Sequence, residues 1–514
     1  MTLRSTRRRG GSVGERTGML ALALLLASCG GDGSSTFAQR SSVTLGTPVA
    51  GPTPFIASVA LSGSGLDRAS SVEFTIDPKP SATARPVHVA FSLDYLKRRG
   101  DYAAGATQLT LPLFGLYAGT TNAIHVDVRF ADGSRASLPL AFGTAAYADP
   151  NAIYDRPLVM SRRSAGQALG FDYFFMKSAY GPPVVVDADG EIRWAQTGTQ
   201  SSVASILRGN GFDVVDASLG LSRLELDGNR STIATVQPSS SNYTAFQHNI
   251  DTGKVGMLVQ PDTVVDGVAN IESTLAEIDD SGTVIAEWRM ADILSNYMLA
   301  AGDDPSSIVR PGIDWFHMNS AIYDPRDDSL VVSSRENFVM KIDYASGALK
   351  WIFGDPTKYW HDSPSLREKA LVLAGDGAYP DGQHSLSIAP TGDLLLFDNG
   401  QPASLPPTTA LQGENRAYSS VASYGIPAGS MTAVQHWSFD HGQAIKSPFC
   451  SSAQQASDGS VLISYATADN FAHARLVGLD PARNVVFDFQ YDSPTSCGTS
   501  WNAQMIALES LTFE

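Results

Sequence analysis

The sequence predicts an all-β protein, a six-bladed β-propeller preceded by a small N-terminal β-sandwich domain. Two observations lead to this prediction. Residues 42–144 consist of short alternating runs separated by Pro and Gly, and from residue 145 onward one strand–turn–strand pattern recurs six times. Six copies in residues 145–514 give about 60 residues per copy, which is somewhat longer than a usual propeller blade, and long loops between strands, such as 354–383, account for the excess.

The first 28 residues are predicted to be a signal peptide. Five arginines precede the apolar run 19–27, which is too short to span a membrane as a mature helix. Leu26-Ala27-Ser28-Cys29 matches a lipoprotein cleavage site, and residues 29–41 suit a flexible tether after a lipidated Cys29. We therefore expect a periplasmic protein anchored by lipid to the outer membrane. An ordinary signal peptide cut nearby is the alternative.

The charge of the chain limits its partners. The formal net charge is −16, and removing the five Arg and one Glu of residues 1–28 leaves −20. Such an acidic chain is not expected to bind nucleic acid, and its net field does not attract anionic substrates. Any anion site must therefore be made positive by local side chains.

The cysteines indicate a disulfide. After Cys29 only Cys450 and Cys497 remain. In an oxidising compartment two such cysteines are expected to pair. No Cys/His spacing typical of a metal site occurs, so we expect no metal ligand set.

The two predicted domains differ in their repeats. In residues 42–144 the clearest strands are 72–76, 87–91 and 124–130, whose period-2 alternation favours an antiparallel sandwich. In residues 145–514 each copy is a strand, a turn with Asp or Gly, and a second strand that often ends in Trp. The copies are 184–194, 224–233, 275–288, 339–351, 420–437 and 477–487.

The segment 315–335 holds the most informative cluster of polar side chains. It is predicted to be a β-hairpin, two apolar-rich runs around a polar turn. Folding it about Arg326 puts His317 opposite Arg335, and strand alternation puts Asn319 on the same face as His317. These groups suit a small oxyanion, because Arg presents a planar fork of donors to sulfate, phosphate or carboxylate.

Two further hairpins place a histidine in a similar way. In residues 384–400, His384 faces the end that carries Asn399. In the weaker hairpin 246–259, His248 lies near the entry of the first strand. Because the three histidines fall in consecutive copies, we expect them to converge at the mouth of a central channel.

These residues resemble the bacterial arylsulfate sulfotransferases over most of the chain, from about residue 45 to the end. The residues that carry the resemblance are Phe316–Ser320, Ser333–Arg335, His384 and Phe397–Gly400. That family is a six-bladed β-propeller that moves sulfate between phenols without a nucleotide donor. Where the family shows His-His-Asp, this chain has Gln247-His248-Asn249.

The resemblance implies a covalent mechanism without a cofactor or metal. His384 would be the nucleophile and form a sulfohistidine, while four residues hold the sulfuryl group: His248, His317, Asn319 and Arg335. The implied partners are a phenolic sulfate donor and a phenol acceptor. A phenol leaves as phenoxide with little help from an acid, which agrees with the lack of an obvious carboxylate pair in the sequence.

Other function classes stay open on the sequence. A non-catalytic propeller scaffold would need no convergent His/Arg set, and a metal-dependent propeller hydrolase would need carboxylates beside the histidines. A quinone-dependent dehydrogenase is disfavoured, because nothing here suggests its adjacent-cysteine pair. The physiological donor, the acceptor, the export route and the oligomeric state stay open, with a homodimer among the options.

Overall fold

The computed structural model describes residues 42–236, 242–407 and 412–514, all of which belong to one compact unit. The predicted signal peptide, Cys29 and the linker lie outside the described residues. No helix in the described part of the chain is long and apolar enough to cross a membrane. The division into two domains at residue 144 stays a prediction.

The first strands lie within residues 42–143. They are β1 (Ser42–Leu45), β2 (Val49–Ala50), β3 (Ile56–Ser64), β4 (Ala69–Ile76), β5 (Val87–Ser92), β6 (Gln108–Phe114), β7 (Thr121–Phe130) and β8 (Arg135–Gly143). Helix α1 (Leu93–Arg99) follows β5. It begins at Ser92, whose hydroxyl accepts a 3.0 Å hydrogen bond from the Tyr95 N–H, and it ends at the left-handed Gly100.

The remaining strands begin at residue 158. In the first half of this region they are β9 (Leu158–Ser161), β10 (Tyr173–Met176), β11 (Val184–Asp187), β12 (Ile192–Trp194), β13 (Ser205–Arg208), β14 (Gly211–Val215), β15 (Gly220–Glu225), β16 (Arg230–Thr235), β17 (Asn242–Thr252), β18 (Met257–Val265), β19 (Val268–Asn270), β20 (Thr274–Ile278) and β21 (Val284–Arg289). Helix α2 (Met290–Ala300) follows β21.

The second half of this region carries the other strands. They are β22 (Met318–Asp324), β23 (Ser329–Ser334), β24 (Val339–Asp343), β25 (Leu349–Phe353), β26 (Val372–Ala374), β27 (His384–Ile388), β28 (Leu394–Asp398), β29 (Ser420–Gly425), β30 (Thr432–Phe439), β31 (Ser452–Gln455), β32 (Val461–Thr467), β33 (His473–Leu479), β34 (Val485–Asp492), β35 (Ala503–Met505) and β36 (Leu511–Phe513). Helix α3 (Pro364–Glu368) lies between β25 and β26.

The N-terminal strands form two sheets that share a core. One sheet joins β1, β3, β2 and β6, and the other has the order β36-β5-β4-β7-β8. Phe114 of the first sheet contacts Phe74 and Phe91 of the second, with ring centroids 5.6 and 6.5 Å apart. Strand β36 comes from the far end of the chain and pairs parallel with β5, so the C-terminus is tied into this sheet.

Six further sheets of four or five strands follow. Sheet 1 joins β10–β12 with β35, sheet 2 is β13–β16, sheet 3 is β17–β21, sheet 4 is β22–β25, sheet 5 is β26–β30, and sheet 6 joins β31–β34 with β9. Neighbouring strands are antiparallel except β26 and β30. Strands from the two ends of this region complete sheets 6 and 1. The predicted all-β class is confirmed, and each predicted copy falls on two adjacent strands of a different sheet.

A recurring turn explains why the outer strands of these sheets are easy to see in the sequence. In sheet 1 the Asp187 carboxylate accepts hydrogen bonds from the N–H groups of Asp189 and Glu191, and Gly190 takes a left-handed conformation (φ 88°). Asp279 and Gly282 repeat this turn in sheet 3. The Asp side chain satisfies the amides of a tight turn, and Gly supplies the positive φ.

The six sheets surround one cavity. A cavity of about 460 Å³ is lined by residues from the six strands β13, β17, β22, β27, β31 and β35, one from each sheet. These strands also contact one another in sequence, from β13 to β17, β22, β27, β31 and β35. The innermost strand of every sheet therefore faces a common central channel.

Candidate active site

The hairpin of β22 and β23 has the predicted pairing. Met318 pairs with Ser334, and the Arg335 N–H donates a 3.1 Å hydrogen bond to the His317 carbonyl, so His317 lies opposite Arg335. The predicted alternation from His317 to Asn319 does not hold, because β22 bulges at Asn319. The bulge directs the buried Asn319 side chain to the neighbouring sheet.

Asn319 connects the two hairpins. Its Nδ2 atom donates a 2.7 Å hydrogen bond to the carbonyl of Gln383, the residue before His384. Gln383 is fully buried and donates in return to Ser333 and to the Ser334 carbonyl. Gln383 was not found from the sequence, because it looks like one more polar loop residue there.

His384 begins β27 and is 4% exposed. Its Nδ1 atom lies 2.7 Å from Asn399 Oδ1 and 3.0 Å from the Gly382 carbonyl oxygen. A carbonyl can only accept, so Nδ1 carries the proton. The Cys450 N–H donates to Nε2 at 3.2 Å, which marks Nε2 as the atom with the free electron pair.

The surroundings keep His384 uncharged. Burial lowers the pKa of its imidazole well below the usual value, and the nearby charges of Arg335, His248 and His317 lower it further. The hydrogen bond from Nδ1 to Asn399 acts in the opposite direction but is the smaller effect. His384 is therefore a neutral imidazole with a fixed tautomer near pH 7.

His248 lies inside a strand rather than at the predicted entry of a hairpin. Strand β17 begins six residues earlier, at Asn242, and bulges between Phe246 and Ile250. His248 takes a left-handed conformation in this bulge (φ 46°). Its Nε2 atom lies 2.9 Å from Glu272, and its buried Nδ1 atom has no hydrogen-bond partner among the described residues.

Two carboxylates that the sequence did not reveal hold His317. Its Nδ1 atom lies 2.8 Å from Glu272 and 2.5 Å from Asp314. The His317 and His248 rings are 4.8 Å apart, so Glu272 bridges two imidazoles. The sequence shows no obvious carboxylate pair, but the structure places two carboxylates, those of Glu272 and Asp314, beside His317. Glu272 lies in a loop 45 residues before His317, and no local pattern joins them.

These carboxylates give His317 the opposite charge to His384. Burial opposes protonation, but the hydrogen bonds to Asp314 and Glu272 raise the pKa of His317 to about 9. Burial would also raise the pKa of Glu272, but His248 and His317 lower it below its usual range. Near pH 7 the site thus contains an imidazolium held beside the ionised carboxylate of Glu272.

Arg335 presents an unused pair of donors. Its side chain is 2% exposed, and its Nη1 atom donates to Glu336 and, at 2.8 Å, to Ser404. Its Nε and Nη2 atoms are buried and have no partner in the described ranges. These two nitrogens form one edge of the guanidinium, the edge that binds two oxygens of an anion such as sulfate.

Left-handed backbone is concentrated at this site. Non-Gly residues with positive φ include His248 (46°), Glu272 (44°), His317 (50°) and Ser385 (51°). Such conformations cost free energy and persist where the surrounding structure holds them. Each histidine is therefore aimed by a local departure from regular strand geometry, which sequence alternation does not predict.

The predicted disulfide is confirmed, and it lies beside the site. Cys450 and Cys497 are bonded and buried, and both take left-handed conformations. Asn399 donates to the carbonyls of Ser447 and Cys450, while the Cys450 N–H donates to His384. The segment at Cys450 is thus fixed on one side by the disulfide and on the other by the nucleophile candidate and Asn399.

Comparison with known proteins places the chain in a family. A family model described as arylsulfotransferase (ASST) matches residues 159–502, about two thirds of the chain. The chain belongs to the arylsulfotransferase family. The matched residues include the five predicted site positions: His248, His317, Asn319, Arg335 and His384.

Two arylsulfotransferases are detectable relatives. Arylsulfate sulfotransferase AssT of Escherichia coli O6:H1 is 26% identical over 243 residues, which cover 38% of this chain and 40% of that protein. Arylsulfate sulfotransferase AssT of Lelliottia amnigena is 24% identical over 254 residues, covering 40% and 41%. The chain thus matches about two fifths of the length of these curated relatives.

Solved structures with some similarity include β-propellers. The β-propeller domain of Cps50 (Swd1) from Myceliophthora thermophila has a TM-score of 0.34 at 10% identity and covers 66% of this chain and 90% of that one. BamB from Moraxella catarrhalis has a TM-score of 0.26 at 11% identity, covering 73% and 96%. These similarities are too weak to bear on function.

Proposed function

We propose that this chain is an aryl sulfotransferase that moves a sulfuryl group from a phenolic sulfate ester to a phenol through a sulfohistidine at His384. One observation carries the proposal: His384 is a buried, neutral imidazole whose Nε2 atom holds the free electron pair. An imidazole in that state is a competent nucleophile near pH 7. Membership of the arylsulfotransferase family supports the same chemistry.

We infer that sheets 1–6 are the blades of a six-bladed β-propeller, with a β-sandwich over residues 42–144 ahead of it. The cavity lined by six inner strands and the completion of sheets 1 and 6 by strands from the two ends support this architecture. His248, His317 and His384 then project from consecutive blades, the third to the fifth, toward one mouth of the channel.

In the first half of the reaction, His384 Nε2 attacks the sulfur of the donor. An N–S bond forms as the bond from sulfur to the phenolic oxygen breaks, and the electron pair of that bond leaves on the phenolic oxygen. His317 is held as a cation by Glu272 and Asp314, and it gives its proton to this oxygen, which leaves the His317 imidazole neutral. No described residue hydrogen-bonds the Nε2 atom of His317, which leaves it available to the substrate.

In the second half, a phenol takes the sulfuryl group from His384. Its proton goes to the His317 that was left neutral, its oxygen bonds to sulfur, and the N–S pair returns to His384 Nε2. The pKa of His317, about 9, lies close to that of a phenol, about 10, so the proton moves in either direction at little cost.

The charge on the sulfuryl oxygens is met by fixed donors. Arg335 supplies the edge formed by Nε and Nη2, and Asn319 keeps one N–H of its amide beyond the bond to Gln383. Once Nε2 of His384 is bonded to sulfur, the Cys450 N–H loses its acceptor and becomes a further donor. These donors would make the site locally positive, as an anion site in an acidic protein requires.

The experiment that tests this function uses 4-nitrophenyl sulfate with and without a second phenol. With donor alone, we expect release of nitrophenol to stop after about one equivalent per active site; adding phenol should make it continuous. Continuous release without a phenol would indicate a hydrolase. No release under either condition would indicate a binding scaffold.

One observation favours a second candidate function, a metal-dependent hydrolase. The ligand atoms of His248, Glu272 and His317 all lie within 4.8 Å of one another, and two imidazoles with a carboxylate form a donor set that suits Zn²⁺. A bound ion would supply an activated water as the acceptor. Chelator treatment separates the candidates: a hydrolase loses activity and regains it with metal, whereas the sulfotransferase does not respond.

We also propose that the protein is exported and acylated at Cys29, which would hold it at the periplasmic face of the outer membrane. The support is the Leu26-Ala27-Ser28-Cys29 site after a basic and apolar leader, with Gly30 rather than Asp following Cys29. Fatty-acid labelling of the wild type that disappears in Cys29→Ala is the expected result. Labelling that persists in the variant would contradict the proposal.

A further inference from the structure

Aromatic side chains extend outward from the guanidinium of Arg335. The Arg335 Cζ atom lies 4.9 Å from the centre of the Phe449 ring, close enough for a cation–π contact. The Phe449 ring is stacked against Phe471, with centroids 6.0 Å apart and planes at 24°. The three side chains form a row that begins at the proposed sulfuryl site and leads away from it.

Phe471 lies at the outer end of this row on a strained turn. It is 36% exposed, and it is the only aromatic residue among the exposed large apolar side chains of the described residues. Three consecutive residues, Asp469, Asn470 and Phe471, take left-handed conformations with φ of 51°, 57° and 70°. A run of this kind is costly and is typical of functional sites. His473 holds the turn through a 2.8 Å contact with Asp469.

Phe449 is the middle member of the row. It precedes Cys450, and it packs with Trp501 against the Cys450–Cys497 disulfide. The centre of the Trp501 ring lies 5.4 Å from the centre of the His248 ring. Aromatic rings therefore lie beside two of the predicted site residues, Arg335 and His248.

We propose that Phe449 and Phe471 form an aryl-binding platform, and that Phe471 favours phenolic sulfates with two rings over those with one. The inference rests on the proposed sulfotransferase function. A sulfate held by Arg335 carries its first ring to the level of Phe449. A second, fused ring extends one ring further and reaches the exposed part of Phe471. An aromatic pair gains from stacking beyond the area it buries.

The test compares two donors in the wild type and three variants. The donors are 4-nitrophenyl sulfate, with one ring, and 4-methylumbelliferyl sulfate, with two fused rings, each with a fixed concentration of phenol as acceptor. In Phe471→Leu, the ratio of kcat/KM for the two-ring donor to that for the one-ring donor should fall roughly three- to tenfold. Phe471→Tyr keeps the ring and should restore the ratio.

Phe142→Leu is the matched control, since Phe142 is half-buried in the N-terminal sheet and far along the chain from the site. Its donor ratio should equal that of the wild type. An unchanged ratio in Phe471→Leu, or an equal loss for both donors, would overturn the platform.

A binding measurement keeps this test separate from that of the proposed function. Fluorescence titration with 4-methylumbelliferone, which carries no sulfate, reports on the platform without turnover. Several-fold weaker binding by Phe471→Leu than by the wild type supports the platform, even if neither donor is turned over and the sulfotransferase proposal fails. Equal binding by both proteins overturns it.

Discussion

Two histidines of one site, His384 and His317, differ in every property that decides their chemistry. His384 is buried beside a carboxamide, a backbone amide and cationic neighbours, and its pKa is lowered well below the usual value. His317 faces the carboxylates Glu272 and Asp314, and its pKa is raised to about 9. Two residues of the same type therefore differ in charge because their neighbours differ.

The division also follows the architecture. His384, in sheet 5, is held by the segment around Cys450, which the disulfide fixes. His248 and His317, in sheets 3 and 4, are joined by a single carboxylate, Glu272, from the loop before β20. The uncharged imidazole and the pair of histidines that share a carboxylate thus belong to different sheets, as the proposed division into a nucleophile and a charge-holding group requires.

Replacing His384 should cause the largest loss of activity. His384→Ala is expected to lower kcat/KM for 4-nitrophenyl sulfate by roughly 10⁴-fold or more, because the other two histidines of the site, His248 and His317, are both held against the Glu272 carboxylate. The control is His436→Ala, since His436 lies on β30 and is half-exposed. Its kinetics should match the wild type. Substantial activity in His384→Ala would show that another group attacks the sulfur.

Arg335→Lys keeps the charge but removes the two-donor edge. We expect kcat/KM to fall by about a hundredfold, the usual cost of losing an oxyanion donor. Steady-state kinetics measure the loss, with thermal unfolding as the check on folding. Arg156→Lys is the control, because the Arg156 side chain is 71% exposed and distant in sequence from the site. Equal rates for Arg335→Lys and the wild type would exclude two-pronged binding.

Glu272→Gln tests the raised pKa of His317 through the pH dependence of the activity. The proposed role of His317 requires its cation, so activity should be lost as the pH rises through its pKa of about 9. Removing one of its two carboxylates lowers that pKa, and the alkaline limb of the profile should move down by roughly one unit or more. A Glu191→Gln control, on the exposed side of sheet 1, should leave the limb in place. A limb that stays, or moves up, would contradict the role given to His317.

The smallest effect on rate is expected from the disulfide. The double variant Cys450→Ser/Cys497→Ser should lose about 2–4 kcal/mol in free energy of unfolding, since the bond closes a long loop. The rate should fall only several-fold, because Asn399 still holds the Cys450 backbone near His384. Denaturant unfolding and kinetics at low temperature measure the two effects. Stability equal to that of the wild type would refute the first of them.

The fold was largely predictable because its signals are local. A turn such as Asp187–Gly190 joins strands that are adjacent in both sequence and space, so each of the six predicted strand–turn–strand copies locates one sheet. Strands that pair across the whole chain left no such signal. The pairing of β36 with β5 and of β35 with β10 depends on contacts between distant segments.

The site, like the fold, was predictable where its signals are local. The position of Arg335 opposite His317 follows from a short hairpin, and the sequence locates it. The bulges at Asn319 and His248 do not follow, because strand alternation assumes regular pairing. Glu272 was missed since its link to His317 crosses from one sheet to the next. Local sequence patterns therefore identify the candidate site residues, whereas contacts between distant segments determine the charges of their side chains.

Mass spectrometry of the protein mixed with an aryl sulfate donor and no acceptor is the most direct test of a sulfohistidine at His384. We expect one added sulfuryl group on the peptide that carries His384, and we expect its removal when phenol is added. The modification should be absent in His384→Ala and present in His436→Ala. A sulfuryl group on another residue, or turnover without any modified protein, would contradict the account.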